Sequence, residues 1–71
     1  MAHAIFVGDI TGSGIKNMTL LAYAIPNMSE AEDLVRRLAG SYPENGLEVS
    51  TGVYWFRDKS GMHEIWAWPV E

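Results

Sequence analysis

The sequence predicts an α+β fold of ββαββ order, with one short helix packed on a four-stranded, mainly antiparallel sheet. Three observations carry that expectation. A capped apolar stripe at helical spacing lies near the middle of the chain, an alternating stretch surrounds Asp58-Lys59-Ser60-Gly61, and two β-rich segments flank an early glycine loop. The 71 residues make a single small domain, 1–71, with 48% hydrophobic and 20% charged residues, a composition suited to a folded chain rather than a disordered one.

Residues 2–10 are rich in β-formers and end near Gly8-Asp9, and Thr11-Gly12-Ser13-Gly14 reads as a loop by composition. Residues 15–25 stop at Pro26 and read as a strand. A helix is the alternative, because Ile15, Met18, Leu21, Ala22 and Ile25 also fall at helical spacing.

The helix signal is local and specific. Ser29-Glu30-Ala31-Glu32 has the form of a capping box, in which the Ser29 hydroxyl accepts from the Glu32 amide. Ala31, Leu34, Val35 and Leu38 then form one apolar stripe. Glu30, Glu32 and Asp33 near the start and Arg36 and Arg37 near the end match the helix dipole, and Gly40 stands where a left-handed C-terminal residue is expected.

Tyr42-Pro43-Glu44-Asn45-Gly46 reads as a turn-rich connection, sharpest at Asn45-Gly46. A hairpin over 47–70 follows. Asp58 and Gly61 suit a type I turn with a bulge, which would pair Asp58 with Met62, Phe56 with Glu64, Trp55 with Ile65 and Tyr54 with Trp66. In that register Leu47, Val49, Thr51, Val53, Trp55, Ile65 and Ala67 form the core face. The opposite face carries Tyr54, Phe56, Met62, Trp66, Trp68 and Val70, relieved by Glu48, Ser50, Asp58 and Glu64.

One helix cannot cover both faces. An aromatic side chain buries about 150–250 Å² when covered, so four of them exceed the ~300–600 Å² of a typical largest apolar patch. Cysteine is absent, which removes disulfides and thiolate zinc sites as supports for so small a core and leaves oligomerisation as the first alternative.

Other chemistry finds little purchase. Gly8-Asp9-Ile10-Thr11-Gly12-Ser13-Gly14-Ile15-Lys16 lacks the adjacent Gly-Lys-Ser/Thr of a phosphate loop, and a strand rather than a helix is expected next. His63 and Glu64 project to opposite faces, and the expected register sets His63 against Arg57. His3 and Asp9 lie six residues apart, about 20 Å along a strand. No metal site assembles, both histidines read as surface residues, and no cofactor is expected. No serine sits in a nucleophile-elbow setting, and acidic pairing of Glu48 or Asp58 with Glu64 reads as solubilising. No catalytic residue is therefore named.

The net charge of −4, nine acidic residues against five basic, disfavours nucleic acid. The segment 1–7 has no basic leader, and the longest apolar run, 20–25, is far short of the ~20 residues of a membrane span. The expectation is a cytoplasmic, non-enzymatic interaction module. It forms a homo-oligomer, or meets another protein, through Tyr54, Phe56, Trp66, Trp68 and Glu64. The alternative is a small-ligand or single-stranded nucleic-acid site on the same rings.

Overall fold

The structure, a computed structural model, describes residues 2–69. Short turns set its topology. Strand β1 (His3–Thr11) reverses through Gly12-Ser13 into β2 (Gly14–Ile25), so 15–25 is a strand and not the helical alternative. Thr11 closes this turn: its Oγ1 donates to the Gly14 carbonyl at 2.7 Å and accepts from the Ser13 amide at 3.2 Å. Helix α1 (Met28–Gly40) follows, then β3 (Glu44–Glu48), β4 (Val53–Asp58) and β5 (Gly61–Pro69).

The sheet is antiparallel throughout, in the order β2-β1-β5-β4-β3. It has five strands, not the four expected. The expected first strand of the later hairpin is interrupted over 49–52 by a turn in which the Glu48 carbonyl accepts from the Thr51 and Gly52 amides, at 3.2 and 2.8 Å. Gly52 supplies the positive φ of 73° that this reversal uses. Asn45-Gly46, expected at a turn, lies inside β3 instead. The Trp55 indole crosses Gly46 so closely that a Cβ there would lie 2.9 Å from the ring.

The helix begins earlier than its apparent capping box. Asn27 is the N-cap, and its Oδ1 accepts from the Glu30 amide at 2.8 Å, leaving Ser29 inside the first turn. Gly40 remains helical and Ser41 closes the end with ordinary αR backbone, its Oγ donating to the Leu38 carbonyl at 2.7 Å. The buried stripe is Ala31, Val35 and Ala39, while Leu34 and Leu38 are each 38% exposed. Small residues at i, i+4 and i+8 let the helix lie close on the sheet, where Ile5, Ile25, Phe56 and Ile65 complete the core.

The β4–β5 register differs from expectation by one residue. Asp58 pairs with Gly61 around the two-residue turn Lys59-Ser60, so Phe56 stands opposite His63 and Tyr54 opposite Ile65. The Asp58 carboxylate shapes the turn: Oδ1 accepts from the Ser60 amide at 2.9 Å and from its hydroxyl at 2.7 Å. With side chains alternating every residue, the slip moves all of β4 to the other face. Tyr54 and Phe56 therefore lie on the helix side, and Trp55 and Val53 leave the expected core face. Val49 sits in the 49–52 turn, 86% exposed, and Val70 lies outside the described residues.

Candidate functional site

Register across the five strands sorts the side chains into two faces, since directly paired residues share a face. On the helix-free face, Phe6 of β1 stands between Leu20 of β2 and Trp66 of β5, and Ala4 stands opposite Trp68. Further along, Gly8 and Trp55 flank Glu64. Phe6 and Trp66 stack with ring centroids 6.1 Å apart. Gly8 makes room for this layer: a Cβ there would collide with Ile15 Cγ2 and touch Trp66 and Met18.

The face is apolar and open. Trp68 is 62% exposed, Met18 67% and Leu20 51%. Phe6, Met18, Trp66 and Trp68 line a shallow groove of about 300 Å³. Of the residues expected here, Trp66, Trp68 and Glu64 are present, whereas Tyr54 and Phe56 belong to the other side. Phe6, Met18, Leu20 and Trp55 are additions. The first three come from a hairpin whose register only the structure supplies, and Trp55 arrives through the slip at the turn.

A second groove, about 610 Å³, opens beside the first half of α1, with Val35, Arg36, Tyr54 and Ile65 from the helix side and Val53 and Trp66 from the other face in its lining. Its basic residue is already committed, because Asp33 pairs with both Arg36 and Arg37.

The helix side of the sheet carries a polar cluster that sequence reading missed. His63, only 8% exposed, directs Nδ1 to Asp9 Oδ1 at 2.7 Å and Nε2 to Asp58 Oδ1 at 2.9 Å. Ser60 Oγ lies 3.0 Å from Nε2, and Asn17 Nδ2 donates to the other Asp9 oxygen at 3.1 Å. The Phe56 ring stacks on the imidazole at 5.0 Å, and Tyr42 stacks on Phe56 at 4.1 Å. His63 thus faces Phe56 rather than Arg57, Asp58 pairs with His63 rather than with Glu64, and neither histidine is a surface residue. His3 is also 8% exposed, with Nδ1 unpartnered among the described residues.

The charges and hydrogen bonds of this cluster shift how its members titrate. Burial opposes charge on His63, but hydrogen bonds to Asp58 and Asp9, reinforced by both carboxylate charges, outweigh it and raise its pKa above the ordinary 6.5. The Ser60 hydroxyl and then the His63 ring hold the Asp58 carboxyl down to about 2. The order Ser60–His63–Asp9 resembles a nucleophilic triad, yet it cannot serve as one in this state. Ser60 donates its proton to Asp58, and an imidazole bonded to two carboxylates has no free lone pair to act as a base.

Among the described residues no group of three histidine or acidic side chains is arranged to hold a metal ion. No helix among them is long and apolar enough to cross a membrane. Compared with protein-family models, curated proteins and solved structures, the chain gives no match.

Proposed function

We propose that this chain is a non-enzymatic interaction module that pairs with a second copy of itself through the helix-free face of its sheet. The observation that carries this reading is the continuous apolar layer of Phe6, Met18, Leu20, Trp66 and Trp68, three of which are more than half exposed. Such layers on a domain surface usually meet a partner.

Size supports a second copy. The five strands, about 4.8 Å apart and rising about 3.3 Å per residue over their own lengths, present a sheet face of roughly 650 Å². That area is close to the ~800 Å² that each partner contributes to a stable interface. The edges favour face over edge. Irregular pairing interrupts β2 at three places and β3 has only five residues, so neither offers a long regular edge for strand addition.

The alternative reading is an apolar or aromatic ligand seated in the groove between Met18 and Trp68. Glu64 on the same face and the net charge of −4 oppose phosphate, so single-stranded nucleic acid is the weakest occupant. Lack of cysteine suits the reducing cytoplasm, where we place the protein.

Light scattering across a concentration series tests the proposal. A mass rising from one chain to two supports self-assembly. A constant monomer mass with quencher-accessible tryptophans transfers the face to a ligand.

A further inference from the structure

We infer that His63 is a proton-held clasp on one end of the sheet, closed while its imidazole carries both N–H protons and open once it loses one. Geometry makes the case. Both ring nitrogens face carboxylate oxygens, at 2.7 Å to Asp9 and 2.9 Å to Asp58. A carboxylate only accepts, so each contact needs a proton on the nitrogen, and only the imidazolium has two. A neutral ring would turn a lone pair toward one of the carboxylates. Moving the remaining proton to the other nitrogen would not help, because the other carboxylate would then face the lone pair.

The contacts reach across four strands. Asn17 of β2 bonds Asp9 of β1, Asp9 bonds His63 of β5, and His63 bonds Asp58 of β4, which also holds the Lys59-Ser60 turn through Ser60. The charged groups around the ring are Asp9 and Asp58, and Lys16 stands across from Asp9 in the β1–β2 register. On the aromatic side Phe56 meets the ring, with Tyr42 stacked on Phe56, an arrangement that favours the cation. The stability contributed by the bound proton is fully present below the ordinary histidine value of 6.5 and is lost as pH rises through the higher folded value.

Two NMR measurements on the intact chain test the clasp. Nitrogen shifts of the His63 ring should report a titration midpoint above 6.5 and two N–H groups at pH values below that midpoint. Amide hydrogen exchange, corrected for its intrinsic pH dependence, should lose protection at Ser60 and its turn neighbours across the same midpoint. The loss should be tenfold per pH unit by which that midpoint exceeds the unfolded one. Asp9→Asn should lower the midpoint and move the loss of protection down with it, and His63→Gln should flatten the pH dependence. If His63→Gln does not fold, the parent and Asp9→Asn carry the comparison. A midpoint at or below 6.5, a singly protonated ring below the midpoint, or protection unchanged across the titration would overturn the inference.

Discussion

Two positions in the Asp58–Gly61 turn show how much one residue decides. Gly61 has φ of 126°, a conformation that a β-branched side chain adopts only with strain. Gly61→Val should therefore cost more than about 1 kcal/mol, read from denaturation midpoints. Its need for glycine was legible in the sequence, but the turn length was not. Asp58-Lys59-Ser60-Gly61 fits both a three-residue bulged loop and the two-residue turn observed. The Asp58 contacts to the Ser60 amide and hydroxyl favour the shorter one. Asp58 also contributes to the protein's behaviour in acid. Its pKa is depressed to about 2, so its contribution is present above the ordinary 3.8 and fades as pH falls through 2. A stability profile should be flat between about pH 4 and the ordinary histidine value of 6.5, decline from there up to the raised His63 midpoint, and decline again below about pH 4. Asp58→Asn should reduce the acid-side decline, the remainder belonging to carboxylates such as Asp33 beside Arg36 and Arg37, and an unchanged acid limb in that variant would assign it wholly to those others.

At the scale of elements, the helix tests what a local motif can establish. Existence and approximate span were readable from the alternation of apolar and charged residues, because helical periodicity is written in the sequence itself. The start was not, since Asn27 and Ser29 are both competent caps and the choice depends on where the chain leaves β2. Asn27→Ala should cost about 1 kcal/mol by leaving the Glu30 amide without its 2.8 Å partner, and Ser29→Ala should cost far less. Equal losses from the two substitutions would move the cap back to Ser29. The buried stripe was only partly readable. Leucine at 34 and 38 outranks alanine at 31 and 39 in hydrophobicity, yet the sheet takes the small residues because they permit close approach. The fifth strand escaped for a similar reason. Val49 and Thr51 continue the alternation of a strand, and nothing local reveals that Glu48 and Gly52 close a reversal around them.

For the whole molecule, the existence of an apolar second face survives a wrong register because β5 alone sets Trp66 and Trp68 apart from Ile65 and Ala67. Its membership does not survive, since Phe6 and Leu20 join only through pairing with strands distant in sequence. The His63 cluster was invisible for the same reason, its partners being drawn from β1 and from a turn whose register had slipped. The self-assembly proposal therefore needs variants that separate interface from core by face alone. Trp68 is 62% exposed, so Trp68→Glu removes little packing within one chain and should leave the fold intact. In a pair of copies the same carboxylate would be buried without a partner, at a cost of several kcal/mol, and the assembly should dissociate. Ile65, its near neighbour on β5, is 1% exposed beneath the helix. Ile65→Glu places the same charge in the core, where its cost rivals the ~5 kcal/mol that holds a small domain together, and the chain should unfold. Circular dichroism and solution mass, measured together on both variants, decide the matter. A folded, monomeric Trp68→Glu beside an unfolded Ile65→Glu is the expected pair. A Trp68→Glu that remains dimeric would mean that the two copies meet elsewhere, and the aromatic face would then be left to a ligand.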